Sequence, residues 1–325
     1  MTKFSALRKV SLETDGRVCP WQVLPEKFRL AFVNFLRLRS VAELCIGPNT
    51  SGFPLSLLDN SRVLPFKTLA LEGCYRANYT GTVAGPPNPS GLVEDLHIGK
   101  CNDETLRSVT AWLQMRGPSS LTFERLGDAP SSILTLSNLL AACSNSLTKL
   151  DIGIAHGCAS LSFHEALEPK RNPPVQYSSV DPLLFTLSSL SHLKHMAIHA
   201  LASFYDIGFY RYHCDDDSWD HRSPGPTITE LVVDSSLKEL FLDLDISFYI
   251  RESDVPLPSP NFIWSSFIPL AAKCSSLGIT LFIQAGFTIN EKPVSLHVVS
   301  SSITDCSTLA PYVEQGVLSI TPKAS

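Results

Sequence analysis

The sequence lacks a long apolar run. No stretch of the 325 residues approaches the roughly 18 uninterrupted apolar residues that a membrane-spanning helix needs. The first residues, Met1–Lys9, also lack the apolar block of a secretory signal peptide. We therefore predict no membrane partner and expect the chain in the cytoplasm or the nucleus.

Closely spaced cysteines are missing as well. The nine cysteines are scattered along the chain, and none forms a C-x-x-C pair. An odd cysteine count without a secretory signal is typical of reduced thiols. The sequence therefore predicts free thiols and no disulfide framework.

Charge is sparse and carries no strong sign. Charged residues make up 18% of the chain, the formal net charge is -5 and the pI is about 6.0. No basic run exceeds three residues, whereas nucleic acids and anionic membranes attract concentrated lysine and arginine. These values exclude a nucleic acid or a membrane surface as the main partner.

The local signatures of common enzyme classes are also absent from the sequence. It contains no G-x-S-x-G, no G-x-G-x-x-G, no Walker-type lysine loop and no H-E-x-x-H. We therefore predict a protein that is not an enzyme and that has no cofactor and no resident metal.

One concentration of possible metal ligands stands apart. His213, Cys214, Asp215–Asp217, Asp220 and His221 combine imidazole, thiol and carboxylate groups, and zinc accepts N, S and O donors. Their spacing matches no zinc module, so we interpret them as part of a polar loop. The alternative is a metal-dependent, hydrolase-like enzyme that uses this cluster, from His213 to His221, on an irregular α/β scaffold.

What the sequence does contain is a recurring apolar triplet, leucine-x-x-leucine-x-leucine. Its best copies run on to an Asn or a Cys: Val41–Ile46 to Asn49, Phe66–Leu71 to Cys74, and Val93–Ile98 to Cys101. Looser copies have their central apolar residue at Val10, Leu121, Leu150, Met196, Leu240 and Leu281. A strand of this pattern buries its apolar face only when neighbours stack beside it, so the triplet predicts a repeat architecture.

The spacing of the copies supports this interpretation. From Leu44 to Leu150 the central residues follow one another at steps of 25, 27, 25 and 29 residues, which fits a repeat period of about 20–29 residues. The later steps, to Met196, Leu240 and Leu281, lengthen to 46, 44 and 41 residues. Each long step is either one repeat with a large insertion or two repeats.

Helix signals lie between the predicted strands. Asp103 is a candidate N-cap, as is Ser131 or Ser132, and Ser259 precedes a proline that suits the first helical position. Strands joined through helices run parallel. The predicted fold class is an α/β leucine-rich-repeat solenoid, with a curved parallel sheet on the concave side, helices on the convex side and an irregular C-terminal half. An ordinary layered α/β domain with leucine-rich strands is the alternative.

We predict a single domain over residues 1–325. Its parts are regular repeats (1–155), irregular repeats (156–286) with insertions near 168–181 and 203–227, and a C-terminal cap or tail (287–325). The second insertion is crowded with aromatic residues and is either a partner-binding protrusion or a segment packed over the end of the sheet. In the tail, the alternation around Val294–Val298 favours a strand that closes the stack.

The copies that end at Asn49, Cys74 and Cys101 resemble leucine-rich repeats of the cysteine-containing type, and the N-terminal third is similar to fungal F-box and leucine-rich-repeat proteins. The resemblance covers residues 7–152 well and the remainder loosely. It implies a repeat domain that binds a protein substrate, while a separate F-box binds a ligase scaffold. Because the chain enters a repeat strand by Leu7, no F-box is visible, and we expect a truncated gene product or an adaptor that works without the scaffold.

The leucine, asparagine and cysteine positions of the triplet are predicted to be structural. After each strand the chain turns inward, and a small side chain that meets neighbouring backbone groups helps to satisfy that turn. The structural repeat positions are Leu44, Ile46, Asn49, Leu69, Leu71, Cys74, Leu96, Ile98, Cys101, Leu150 and Ile152.

The open face of the predicted sheet is the candidate recognition surface, because residues that alternate with the buried leucines point to that side. The candidate partner-binding residues are Glu43, Asp95, His97, Lys149, Asp151, His195, Glu239 and Phe241. They are mixed in sign and contain no nucleophile–base pair. We therefore expect a monomeric, non-enzymatic module that binds another protein. The role implied by the resemblance is substrate recognition for a ubiquitin ligase.

Overall fold

The computed structural model of the chain shows two compact units. The residues that the structure describes are 7–14, 17–36, 41–59, 67–74, 77, 93–113, 117–126, 130–154, 187–205, 220–222, 225–232, 236–250 and 257–323. The N-terminal unit is drawn from Met1–Arg125, Ala129–Asp151 and Phe185–Leu193, and the C-terminal unit from Leu126–Asp128, Ile152–Leu184 and Lys194–Ser325. Each unit is a mixed α/β structure built on a largely parallel sheet. The prediction of a mixed α/β fold with a parallel sheet is thus confirmed.

Short parallel strands form the sheet of the N-terminal unit. They are β1 (Lys9–Leu12), β3 (Glu43–Ile46), β5 (Thr68–Glu72), β6 (Asp95–Gly99), β7 (Ser120–Leu126) and β8 (Lys149–Ile154). From β1 to β7 each strand pairs in parallel with the next one along the chain. Two further short strands, β2 (Cys19–Pro20) and β4 (Thr50–Ser51), pair with each other in a separate sheet. The order of the main strands in space therefore follows their order in the sequence.

One backbone pattern recurs where these strands begin. The carbonyl of Arg8 accepts hydrogen bonds from the N–H groups of Ala42 and Glu43, at 2.8 and 2.9 Å. The same pair of bonds recurs on the carbonyls of Ala42, Lys67, Glu94 and Ser119. Because each strand begins level with its neighbour, residues at equivalent positions of the triplet lie side by side.

The apolar positions of the triplet form the core. Leu44, Ile46, Leu69, Leu71, Leu96, Ile98, Leu150 and Ile152 are all buried. Burying a leucine or isoleucine side chain contributes about 1.5–3 kcal/mol. The prediction that these positions face inward is confirmed, and stacking of the strands is what buries them.

The turns after the strands use the predicted Asn and Cys residues. Asn49 adopts a left-handed conformation with φ of 67°, which asparagine tolerates better than most residues, and its carbonyl accepts a hydrogen bond from Cys19 N–H at 2.7 Å. Cys74 is fully buried. The Cys101 thiol donates to the carbonyl of Leu71 at 3.2 Å. These contacts support the structural role predicted for the three positions.

Helices separate the strands of the N-terminal unit. They are α1 (Glu26–Leu36), α2 (Asp103–Leu113), α3 (Pro130–Ala142) and two 3-10 helices, Trp21–Val23 and Leu55–Asp59. Asn102, rather than the predicted Asp103, caps α2, because its side-chain oxygen accepts the Thr105 N–H at 2.9 Å. Asp103 instead lies in the first turn, where a negative charge complements the helix dipole. α3 begins at Pro130, before the predicted N-cap at Ser131 or Ser132. Proline suits the first turn of a helix.

Longer strands form the sheet of the C-terminal unit. They are β9 (His195–Tyr205), β10 (Asp220–Arg222), β11 (Glu239–Tyr249), β12 (Thr280–Ile289), β13 (Lys292–Pro293) and β14 (Leu318–Pro322). β9, β11, β12 and β14 pair in parallel in that order, while β10 and β13 pair antiparallel with β9 and β12. Because β9, β11 and β12 are direct neighbours, the sequence steps of 44 and 41 residues each correspond to one parallel strand.

Among the described residues of this unit, five helices accompany the second sheet. They are α4 (Gly225–Leu231), α5 (Pro260–Trp264), α6 (Ile268–Leu277), α7 (Leu296–Thr304) and α8 (Ala310–Glu314), with a 3-10 turn at Ser265–Phe267. The predicted cap at Ser259 is confirmed, because its hydroxyl accepts the Phe262 N–H at 3.3 Å. In the part of the chain that the structure describes, no helix is both long and apolar enough to cross a membrane.

One sequence prediction is wrong in this unit. The segment around Val294–Val298 does not form a closing strand: α7 begins at Leu296, after Ser295 in an extended N-cap conformation. Five residues of alternating polarity do not distinguish a strand from the start of a helix. The strand at the edge of the sheet is instead β14.

The predicted insertion 203–227 also begins and ends in regular structure. β9 extends through Tyr205, β10 pairs with it, and α4 begins at Gly225. The other predicted insertion, 168–181, and residues 206–219 lie outside the described residues.

The stacked core makes a specific prediction about stability. Leu96→Ala should lower the free energy of unfolding of the N-terminal unit by about 2–5 kcal/mol, because it opens a cavity in the buried apolar face of the sheet. Thr122→Ala, on the half-buried opposite face of the adjacent strand, should cost less than about 1 kcal/mol. Urea denaturation followed by circular dichroism measures both values. Equal losses would contradict the assignment of the two faces.

Candidate functional site

The open face of the N-terminal sheet consists of the strand residues that alternate with the core leucines. Its first column runs Lys9, Glu43, Thr68, Asp95 and Ser120, each paired with the next. Its second column runs Ser11, Cys45, Ala70, His97 and Thr122. The structure confirms the side-by-side placement that the triplet predicts for these positions.

The candidate residues on this face differ in exposure. Glu43 and Lys149 are exposed, whereas Asp95, His97 and Asp151 are half-buried. The face therefore presents both signs of charge together with half-buried groups. A partner protein gains more from contacts with half-buried groups than from fully solvated ones, because solvent screens exposed charges.

A third column was missed by the sequence analysis. On neighbouring strands, the position directly after the last apolar residue of the triplet is occupied by Glu13, Gly47, Glu72, Gly99 and Glu124. We call this column the glutamate–glycine row. Leu12 pairs with Ile46, Ile46 with Leu71, and Glu72 with Gly99, so glutamate and glycine alternate from strand to strand. The signal is visible in the sequence as the residue that follows the last apolar position of each triplet.

The glycines of this row make room for the glutamates. A Cβ on Gly47 would collide with the Glu13 side chain, and a Cβ on Gly99 would collide with the carboxylate of Glu124. The same position on Gly99 lies 3.7 Å from Cγ of Glu72. The side chains of Glu72 and Glu124 therefore converge above Gly99.

A cavity of about 360 Å³ opens at this point of the N-terminal unit. Its lining consists of Pro48, Glu72, Gly73, His97, Ile98, Gly99, Lys100, Thr122 and Glu124. Glu72 and Gly99 end β5 and β6, and Gly73 and Lys100 directly follow them, whereas Thr122 and Glu124 lie within β7.

The open face of the C-terminal unit carries the remaining candidate residues. His195 and Glu239 are paired in register, and the Nδ1 of His195 donates to the Glu239 carboxylate at 2.7 Å. Phe241 is 38% exposed and lies beside Phe282 on the next strand. An exposed phenylalanine beside a second aromatic ring is a typical anchor for a protein partner.

Further along β9 and β11 lies a second polar group, which we call the C-terminal ion cluster. It consists of His199, Asp243, Asp245 and Lys323. His199 Nδ1 donates to Asp243 Oδ2 at 3.0 Å. The Lys323 ammonium lies 2.8 Å from Asp243 Oδ1 and 3.1 Å from Asp245 Oδ1. Gly286 separates Lys323 from Asp245, and its missing side chain leaves the space that the lysine crosses. The cluster thereby ties the residue after β14 to β11 across β12.

The pKa values of the two central groups reflect this pairing. Burial alone would raise the pKa of Asp243, but hydrogen bonds and charge from Lys323 and His199 outweigh it and hold the pKa below its usual value. Burial alone would lower the pKa of Lys323, but the two aspartates hold it above its usual value. Folding therefore stabilises the charged form of both groups.

Four of the described cysteines are poor nucleophiles. Burial raises the pKa of Cys74 and Cys143 to about 12, and that of Cys101 and Cys274 to about 11. Because the thiolate is the reactive form, such thiols are unreactive at neutral pH. All seven cysteines that the structure describes are free.

Most of the possible metal ligands from His213 to His221 lie outside the described residues; only Asp220 and His221 fall within them, in β10. The described residues contain no group of three or more His, Cys, Asp or Glu that could hold a metal ion. The alternative hypothesis of a metal-dependent enzyme therefore stays a prediction.

Comparison with known proteins adds no family to this picture. No family model matches the sequence, and no curated protein matches it.

The C-terminal ion cluster predicts a pH-dependent attachment of β14. Lys323→Met removes the ammonium and should speed amide exchange in Leu318–Pro322 about fivefold, which corresponds to about 1 kcal/mol for a partly buried ion network. Lys292→Met, at an exposed position in β13, is the matched control and should leave that exchange unchanged.

The sign of the pH effect follows from the two pKa shifts. The depressed pKa of Asp243 stabilises the folded chain above the usual aspartate pKa of 3.8, and this contribution is lost as the pH falls through its folded pKa. The raised pKa of Lys323 stabilises the chain below 10.5 and is lost above its folded pKa. Exchange measured by mass spectrometry should differ between wild type and Lys323→Met at about pH 5–9, and the difference should shrink in stronger acid. A difference that is constant from neutral pH to stronger acid would contradict the assignment.

Proposed function

We propose that this chain is a non-enzymatic protein-binding module of the leucine-rich-repeat type, and that it contacts its partner through the open, concave face of the strands. In this proposal the helices form the convex side. The chain acts as a monomer in the cytoplasm or the nucleus, and its partner is a protein.

The single observation that carries the proposal is the lateral register of the strand residues. The columns that contain Glu43, Asp95 and His97 place different polar side chains at regular intervals on one face. Neighbouring strands lie about 4.8 Å apart and alternate residues along a strand about 6.6 Å apart. A surface with that grid and with both signs of charge suits recognition of another protein chain, whose side chains are spaced on the same scale.

The C-terminal unit supports the same mode of action. There the open face combines the hydrogen-bonded pair His195 and Glu239 with the exposed ring of Phe241. Aromatic residues surrounded by polar groups are enriched at the energetic centres of protein interfaces.

Substrate recognition for a ubiquitin ligase is the more specific role that we propose, and its support is the resemblance of the Asn49, Cys74 and Cys101 copies to cysteine-containing leucine-rich repeats. These residues follow the strands, with Cys74 buried and Asn49 and Cys101 half-buried, and this placement agrees with that resemblance. A ligase role requires an F-box on this chain or on a protein bound to it.

Charge reversal on the open face tests the proposal. The triple variant Glu43→Lys, Asp95→Lys and Asp151→Lys should weaken partner binding at least about tenfold, because it replaces attraction with repulsion at the interface. The control triple variant Glu230→Lys, Glu291→Lys and Glu314→Lys changes the net charge equally at exposed positions outside these columns.

The measurement has two stages. Affinity capture with quantitative mass spectrometry identifies proteins that wild type and control retain, and calorimetry with the purified partner then gives Kd for all three chains. Partners that bind the open-face variant as tightly as wild type would contradict the proposal, as would partners lost only in the control.

A further inference from the structure

The cavity above Gly99 in the N-terminal unit is the strongest unexplained feature of the molecule. It measures about 360 Å³ and is open to solvent, with the exposed residues Glu72, Lys100 and Glu124 in its lining. It opens on the same face as the columns of the proposed binding surface, between the side chains of Glu72 and Glu124. A partner that docks on this face either fills the cavity or leaves water molecules in it.

The lining of the cavity favours a cationic group. Glu72 and Glu124 come from strands on either side of Gly99, so their backbones are roughly 10 Å apart, yet both side chains lean over that glycine. Both glutamates are exposed, and their negative charges flank the glycine on either side. A positive charge placed between them can form charge-assisted hydrogen bonds with both carboxylates.

The described residues do not supply that positive charge. Lys100 lines the cavity, but it is exposed and adopts a left-handed conformation with φ of 42°. Among the residues that the structure describes, no ion pair within 4 Å joins Lys100 to Glu72 or Glu124. Within the described part of the chain, neither carboxylate therefore has a cationic partner within 4 Å.

The shape of the site discriminates between cations. A guanidinium is planar and presents donors along several edges, so one arginine can bond to two carboxylates at once, whereas a lysine ammonium acts as a point charge. His97 and Thr122 form the adjoining wall of the cavity. They offer further polar groups beside the aliphatic stem of an inserted side chain.

We infer that this cavity is a pocket for an arginine side chain of the partner protein, which inserts its guanidinium between Glu72 and Glu124 above Gly99. This inference rests on the proposed function and names the chemistry of the partner: a basic, arginine-containing segment that lies across the open face. The pocket anchors the segment, and the columns with Glu43 and Asp95 contact its neighbouring residues.

Selection from a random twelve-residue peptide library on the immobilised chain provides the probe. The selected peptides should be enriched in arginine. A synthetic copy of the best peptide is then compared with a copy in which citrulline, an uncharged isostere, replaces the arginine. Citrulline should weaken binding at least about tenfold, as expected for the loss of a partly desolvated charge pair.

Three variants locate the binding site. Glu72→Gln with Glu124→Gln keeps the size of both side chains and should weaken peptide binding at least about tenfold. Gly99→Ala leaves every charge in place but pushes the Glu124 carboxylate aside, and it should also weaken binding. The matched control Glu26→Gln with Glu291→Gln changes the net charge equally at exposed positions away from the cavity and should change Kd less than about twofold. Circular dichroism confirms that each variant is folded.

The outcomes separate the two proposals. If the Glu72 and Glu124 variant binds the peptide like wild type, the arginine pocket is wrong. If, in addition, the Glu43, Asp95 and Asp151 charge-reversal variant loses the peptide, the open face still binds protein and the proposed function stands. If neither variant affects binding, both proposals are wrong. Equal weakening by the Glu26 and Glu291 control would show that attraction to overall negative charge, and not the pocket, explains arginine enrichment.

Discussion

The structure depends on one constraint: a short parallel strand with leucines on one face is stable only beside another such strand. β1 and β3 contain four residues each, and neither can bury Leu12 or Leu44 alone. The paired hydrogen bonds on the carbonyls of Arg8, Ala42, Lys67, Glu94 and Ser119 hold each strand level with the one before it. A slip of one residue would turn every leucine outward and every column residue inward. The hydrophobic core therefore enforces the register of the open face.

That register explains why one sequence position has a related role in both units. In the N-terminal unit the position after the triplet alternates between glutamate and glycine, and in the C-terminal unit it holds His199, Asp243 and Gln284 in adjacent strands. Each unit also has a glycine that leaves space for a charged side chain: Gly99 lies within the row of the first unit, and Gly286 lies two residues beyond Gln284 in the second. In the second unit, Lys323 from the same chain neutralises the carboxylates. In the first, the described residues provide no such partner for Glu72 and Glu124, and we assign that role to an arginine of another protein.

Much of the fold could be predicted from the sequence, because the leucine triplet specifies burial and alternation within each strand. The side-by-side placement of Glu43, Thr68 and Asp95 follows from that alternation and a constant repeat length. Local choices between equally good residues were less predictable: Asn102 and Asp103 are both strong N-cap residues, and only the bond to Thr105 N–H distinguishes them. The segment Val294–Val298 was too short for its alternation to exclude a helix.

The candidate site was predictable only where its residues follow the repeat. His195 and Glu239 were placed on the open face because they occupy triplet positions. The ion pair between Lys323 and Asp245 joins residues 78 positions apart, and Lys323 follows a strand that carries no triplet. The side chains of Glu72 and Glu124 converge above Gly99 because that residue has no side chain. This convergence involves three neighbouring strands, so no single repeat of the sequence predicts it. The sequence contains these residues in order, but their interaction is a property of the stacked sheet.

The most direct test of the account is to map which carboxylates a bound protein or peptide covers. Chemical labelling of carboxyl groups, read out by mass spectrometry on the free and the bound chain, measures this in one experiment. The account predicts reduced labelling of Glu43, Glu72 and Asp95, with Glu26 and Glu314 labelled as in the free chain. Protection confined to Glu26 or Glu314, with the open-face carboxylates unchanged, would contradict the claim that the strand face is the recognition surface.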